Sequence, residues 1–464
     1  MKEMMGLSKK LAGLIFAGML FPAVANAAEG ASAAELTAGL NSLWVLIGAV
    51  LVIFMQAGFA MLEAGSSRMK NAGHIAGKTV LSFGVAVIAF WALGFGFAFG
   101  NGNSFFGTTG FFVNGTAEQA AASFDSLAGD IPISILFLFH LAFAGVSLAI
   151  AGGGFAERAK LSVYVIFGFL FTVIIYPVVA HWVWGGGWLG ELGKQDFAGS
   201  TVVHLTGATA ALVATLMLKP RLGRFNKDRT PNAILGHNQV FSVLGVLIIW
   251  IGWFGFNPAS TLSALDDGFF GFVAFNTVLA AAAGALAAML ISWMALGKGD
   301  ITSLLNGVLA ALVAITASCA FVDAWAAVVI GAVAGIVGFL CSQWFEKMGI
   351  DDPIYAVSVH GVAGIWGTLS TGFFATPELA AANGGEAGLF YGGGFHQLGV
   401  QALGVAGTIV FVAVLSFIIL YAIKVTTGLR VTEEEETVGL DLSEHGVYGY
   451  PEQMKQASDR GAVL

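Results

Sequence analysis

The sequence predicts an all-α integral membrane protein: eleven transmembrane helices, arranged as two inverted five-helix repeats plus a C-terminal helix. Three observations carry this expectation. Of the 464 residues, 57% are hydrophobic and only 10% are charged, against roughly 25% charged in soluble domains. The chain holds eleven apolar runs, each long enough to cross a bilayer as a helix of about 20 residues. Finally, His204 and His360 each stand eight residues after an aspartate, Asp196 and Asp352, in corresponding runs of the two halves.

The N-terminus reads as a targeting segment. Lys2, Lys9 and Lys10 precede an apolar stretch over 11–24, and Ala25-Asn26-Ala27 fits a small-x-small cleavage site. Residues 1–27 are therefore expected to be a cleaved signal peptide, with the mature chain starting outside the cytoplasm. The alternative is an uncleaved extra helix.

The apolar runs centre on 43–62, 79–100, 133–154, 161–183, 198–218, 238–258, 270–295, 302–321, 325–345, 355–375 and 398–423. Membrane β-strands are about half as long and alternate strictly, so these are helices. One set of alternate loops carries Arg68, Lys70, Arg158, Lys160, Lys219, Arg221, Arg224, Lys227, Arg229, Lys298 and Lys347; the other set carries Lys194. Positive loops stay cytoplasmic. The expected orientation is a mature N-terminus outside and a C-terminus inside, with a membrane domain over 28–424 and a cytoplasmic tail over 425–464. The tail is acidic, with Glu433 to Glu436 in a row, and its composition suggests a solvated extension. The loop over 101–130 likewise reads as solvated.

Composition excludes some function classes. No basic patch suits nucleic acid. Cys319 and Cys341 give no metal spacing or disulfide framework and read as small packing residues. No nucleophile–base pair suggests an enzyme, and no cofactor is expected.

Repeats of five spans, an odd number, must lie in opposite orientations. Spans five and ten carry His204 and His360, and the symmetry would bring their rings together near the midplane. Spans one and six echo each other through Gly58-Phe59 and Gly255-Phe256. Ionisable groups in spans are costly and usually mark a path, although a single membrane histidine can equally be a satisfied core residue. Burial favours the neutral ring, which offers one N–H donor and one bare acceptor. Two such rings form a polar row for a small hydrogen-bonding guest, or a proton relay. Alkali cations would find few oxygens there, and zinc would lack carboxylate or cysteine co-ligands. Asp196 and Asp352 each stand near a helix start, where a carboxylate caps backbone amides.

The chain resembles the ammonium transporter family (Amt/Mep/Rh), specifically its bacterial Amt branch. The resemblance rests on GFAMLEAG at 58–65, GGGFAERAKLS at 152–162, HWVWGGGWL at 181–189, DFAGSTVVH at 196–204, WIGWFGFNPAS at 250–260, VHGVAGIWGTL at 359–369 and the tail GLRVTEEEETVGLDLSEHG at 428–446. It implies a homotrimer in the bacterial inner membrane with one pore per subunit, taking up ammonium or methylammonium nitrogen. It implies an outer recruitment site at Trp184 and Ser260 with Phe143 as its floor, and Asp196 supporting it. Phe143 and Phe256 resemble the stacked phenyl gate, with Phe139 one turn before Phe143, and His204 and His360 resemble the twin-histidine pair. The tail implies packing between subunits and docking of a PII-type regulatory protein. Ala259 stands where the family commonly has glycine, and Ile354 and Tyr355 replace smaller residues. A Rhesus-type gas channel is disfavoured by Trp184. A sensor is disfavoured because 425–464 is shorter than an output domain.

Overall fold

In the computed structural model, which describes residues 32–450, the chain is a bundle of long helices. The expected signal peptide over 1–27 lies outside the described residues. Eleven principal helices follow in order: α1 (Ala33–Ser66), α2 (Ala72–Ala89), α3 (Ile133–Gly153), α4 (Leu161–Leu170), α5 (Thr206–Leu218), α6 (Gln239–Phe256), α7 (Phe269–Leu296), α8 (Ile301–Ser318), α9 (Ala324–Lys347), α10 (Ala363–Phe374) and α11 (His396–Thr426). Among the described residues, ten helical segments are long and apolar enough to cross a membrane. The segment outside that set is α10 with its preceding turn Val357–Val362. It is interrupted by polar side chains, and Ser358, His360, Thr368, Ser370 and Thr371 are all buried in it. Large apolar side chains such as Val80, Leu286 and Met294 are exposed at the periphery, as a lipid-facing surface requires.

The ends of α1 differ from the apolar run over 43–62. Ser32 and Glu35 form a capping box, so the helix begins well before the greasy stretch. A polar N-terminal turn needs only its own caps to be helical.

Helices α1 and α6 run antiparallel in close contact. Gly48 faces Gly255, Gly58 faces Gly245 and Gly65 faces Asn238. A Cβ on Gly58 would lie 2.8 Å from the Gly245 carbonyl oxygen, so the pair depends on small residues as membrane helices often do. The same device accommodates Ala259, whose methyl packs where Gly48 has no side chain.

The tail does not behave as a solvated extension up to residue 450. Short helices Glu433–Val438 and Leu440–His445 dock on the loops that carry Arg68, Lys70 and Arg158. Glu436, Leu440 and Asp441 are buried. Arg430 Nη2 pairs with Glu436 Oε2 at 2.6 Å, Lys70 Nζ donates to the Glu436 carbonyl at 2.6 Å, and the Asp441 carboxylate accepts from the His74 amide at 2.7 Å. Acidic composition misled because, apart from Arg430, its partners Lys70 and His74 lie hundreds of residues away in sequence.

Beneath the tail is a buried charge cluster. Arg221 Nη2 lies 2.8 Å from Asp351 Oδ1 and Arg221 Nη1 3.1 Å from Glu157 Oε2. Burial alone would raise the Asp351 carboxyl, but hydrogen bonds and charge from Arg221, then Arg158, hold it well below the usual carboxylate range. Glu157 is likewise opposed by burial and lowered by Arg221 and Arg68. Depressed carboxylates stabilise the fold above their unfolded pKa, about 4, and lose that contribution as pH falls through the folded value. The difference in melting temperature in detergent between wild-type protein and Asp351→Asn should therefore be constant from about pH 7 to 5 and shrink below about pH 4. Equal acid sensitivity in the variant would refute this assignment.

Candidate functional site

His204 and His360 meet. His204 lies in a π-helical segment, Ser200–Leu205, leading into α5. His360 lies in a second, Val357–Val362, leading into α10. Single π turns widen a helix and leave its carbonyls to be satisfied from outside. Here Ser147 Oγ donates to the Val203 carbonyl at 2.9 Å, and Ser200 Oγ ties the turn to α8 by donating to the Val313 carbonyl at 2.6 Å.

Both turns are tied by their aspartates in the same way. Asp196 Oδ2 accepts from the Thr201 and Val202 amides at 2.9 and 3.0 Å. Asp352 Oδ2 accepts from the Val357 and Ser358 amides at 3.0 and 3.2 Å. These are the fifth and sixth amides after each aspartate. The third position is left-handed in both cases, with φ +114° at Gly199 and +61° at Tyr355. Glycine takes that conformation freely, whereas tyrosine pays about 1 kcal/mol. Gly199 is further required because a Cβ would lie 3.0 Å from the Trp184 ring. Tyr355 thus combines a strained backbone with a bulky side chain.

The two Nδ1 atoms are 3.2 Å apart, and the rings are nearly parallel, 13° between planes. One Nδ1 must donate and the other accept, so a neutral pair shares a single proton between them. Trp253 stacks on His204 at 5.2 Å and 11°, fixed by its indole donating to Thr316 Oγ1 at 2.9 Å. Both histidines are buried, and His204 Nε2 has no partner among the described residues.

Above His204 lie the aromatic residues. Phe256 sits 5.4 Å from the His204 ring and stacks on Phe143 at 4.1 Å and 24°. Phe139 contacts Phe143 at 4.6 Å. Phe143 meets Trp184 edge-on at 6.1 Å. Trp184 and Ser260 are half-buried, whereas Phe143 and Phe256 are buried. Trp184 Nε1 donates to the Asp196 carbonyl at 2.8 Å, which leaves its ring face available. Ser260 Oγ donates to the Phe256 carbonyl at 2.7 Å, so its lone pairs remain for a donor. Trp184, Phe143, Phe256, His204 and His360 therefore form one continuous series of ring contacts.

Below His360 a cavity of 20 Å³ is lined by His360, Glu63, Asn306 and Ile354. It shares Leu62, Asn306 and Ile354 with a vestibule of 340 Å³ that includes Arg224, Glu346, Asp352 and Tyr355. Among the described residues, no group of three or more His, Cys, Asp or Glu side chains gathers to hold a metal.

Sequence reasoning passed over three residues here. Trp253 was one aromatic among many. His140, between Phe139 and Phe143, packs 4.1 Å from Phe99 and 6.3 Å from Trp184, with neither ring nitrogen partnered among the described residues. Glu63 is buried at the end of α1. For the last two the signal was an ionisable residue in or beside an apolar run.

A membrane-embedded helical bundle with an aromatic and imidazole series through its interior defines a transport protein of the channel or carrier kind. The sequence profile of the Ammonium Transporter Family matches residues 43–450, and the chain belongs to that family of transporters, which are not enzymes. It is 42% identical over 427 residues to the ammonium transporter Amt2 of Archaeoglobus fulgidus, covering 89% of this chain and 88% of that one. It is 36% identical to an ammonium transporter of Bacillus subtilis, covering 89% and 99%. Among solved structures it resembles one described as a sensor Amt protein, with TM-score 0.82, 36% identity and coverage of 88% and 99%. It also resembles Saccharomyces cerevisiae Mep2, with TM-score 0.78, 30% identity and coverage of 85% and 88%.

Proposed function

We propose that the protein recruits ammonium at Trp184 and Ser260, removes a proton near the Phe143–Phe256 gate, and conducts ammonia past His204 and His360 into the cytoplasm, where it is reprotonated; the proton removed at the gate either returns to the outer solvent or is relayed through the histidine pair. The observation that carries this reading is the 3.2 Å contact between the two Nδ1 atoms in a buried lumen, directly below stacked phenyl rings. A monovalent ion entering such a space loses its hydration, which costs several kcal/mol or more. Ammonium alone among common monovalent cations can shed its charge by giving up a proton. Trp184 holds the ion by its ring face, Ser260 accepts an N–H, and Asp196 anchors Trp184 and adds negative charge. Phe143 is the floor of the recruitment site and, with Phe256 and Phe139, the gate.

The architecture we propose is eleven spans in two inverted repeats, with α11 outside them, over residues 28–424 after a cleaved signal peptide. The buried helix over 357–374, the matched aspartate caps and the antiparallel α1–α6 pair all support it. The family implies a homotrimer in the bacterial inner membrane with the mature N-terminus outside. It also implies that a PII-type protein docks at the face carrying the tail. Co-purification at varied ATP and 2-oxoglutarate tests the latter. The likeness to a protein described as a sensor spans the membrane helices, so flux distinguishes transport from sensing.

The test is ammonium or methylammonium flux in proteoliposomes. Wild-type protein should give saturable uptake. Trp184→Leu should raise the half-saturating concentration about 5- to 30-fold, the equivalent of a desolvated cation–π contact, with the maximum rate retained. An unchanged half-saturation would remove Trp184 from recruitment, and no flux through wild-type protein would defeat the transport reading.

A further inference from the structure

The inner cavity contains a carboxylate that the pathway above does not use. Glu63 is 1% exposed, and its Oε2 lies 2.6 Å from Nζ of Lys78, also 1% exposed. Oε1 is buried and has no hydrogen-bond partner among the described residues. Glu63 and His360 line the same cavity of 20 Å³, which is room for one molecule the size of water. Through Leu62, Asn306 and Ile354 that space adjoins the larger vestibule.

A buried ion pair is a poor stabilising device, because desolvation offsets most of its attraction and an apolar pair often does as well. An unfilled carboxylate acceptor is costlier still. Both costs are relieved when a small donor occupies the cavity. Ammonia offers three N–H donors and has about the size of water. Lys78 balances the charge of Glu63, so the site is close to neutral when empty and does not trap a cation permanently. Lys78 is itself held in place, with Nζ 5.6 Å above the Tyr164 ring.

We propose that Glu63, positioned by Lys78, forms an ammonia-holding site between His360 and the vestibule, where Oε1 accepts an N–H of the ammonia leaving the histidine pair. The proposal rests on the transport reading given above. It makes the final step of permeation, departure from the lumen, the step this side chain serves.

The experiment compares wild-type protein with Glu63→Gln and with the charge-neutral double variant Glu63→Gln, Lys78→Met, measuring methylammonium uptake and melting temperature in parallel. In the double variant the maximum rate should fall about tenfold, the equivalent of one charge-assisted hydrogen bond, with half-saturation and melting temperature unchanged. Glu63→Gln alone, which leaves Lys78 charged at the cavity, should fall further. Wild-type rates in the double variant would overturn the proposal, as would a loss that tracks a lowered melting temperature, which would assign the pair to packing. If wild-type protein itself carries no flux, it is the transport reading that fails.

Discussion

Asp196→Ala should abolish ammonium flux and lower the melting temperature more than any other single change in the outer half of the site. The carboxylate accepts from three main-chain amides: Gly199 at 3.1 Å, Thr201 at 2.9 Å and Val202 at 3.0 Å. All three sit where the chain turns into the π segment that carries His204, and Asp196 is itself buried. A buried donor left without a partner costs about 1–3 kcal/mol, so losing all three costs about 3–5 kcal/mol after partial relaxation. That is a large share of a typical folding stability. Function is affected through the main chain that these bonds hold in place. The Asp196 carbonyl anchors the Trp184 indole, and the π turn sets the height of the His204 ring against Phe256. Asp196→Asn separates the two roles, since it keeps an acceptor oxygen but removes the charge. It should retain much of the melting temperature while flux falls. An alanine variant that melts and transports like the wild type would show that these amides find other partners and that the aspartate is dispensable.

The fold was legible wherever a single physical constraint acts along the chain. Bilayer thickness demands long apolar runs, and ten of the eleven expected runs coincide with helices long and apolar enough to span. The run over 355–375 was found by the same criterion, yet its helix is the most polar of the set because it turns serine, threonine and histidine inward. The histidine pair was visible because the same aspartate-to-histidine spacing occurs twice. What the spacing did not reveal is that each ring sits on a π turn. That geometry depends on hydroxyl groups from other helices, such as Ser147, reaching carbonyls far away in sequence. The docked tail was hidden for a similar reason. Glu436 looks solvated until Arg430, Lys70 and the Leu222 amide close around it. Glu63 and Lys78 were hidden by their position at the ends of apolar runs, where charged residues ordinarily reach water. Only their mutual burial, with Glu63 lining the cavity under His360, distinguishes them.

His204→Ala should keep the protein folded but let potassium through. The imidazole fills the space between Trp253, Phe256 and His360, with ring separations of 5.2, 5.4 and 5.3 Å. Truncation to alanine opens room below the phenyl gate beside His360, a polar neighbour that attracts water. Water in that gap lowers the desolvation barrier for any cation. Desolvation in real proteins amounts to several kcal/mol per ion, and each 1.4 kcal/mol is a factor of ten in rate. A hydrated gap that removes half of such a barrier would reduce discrimination against potassium on the order of a hundredfold. The proton contact between the two Nδ1 atoms disappears with the ring, so any charge moved with ammonia through the wild-type pair would be lost or would follow the new water path. Potassium currents and ammonium-driven currents recorded on the same liposomes distinguish these effects. The expected result is a potassium conductance absent from wild-type protein together with an altered ratio of charge to nitrogen moved. If the variant excludes potassium and carries ammonium current as before, selectivity resides in the aromatic gate alone and the histidine pair is structural.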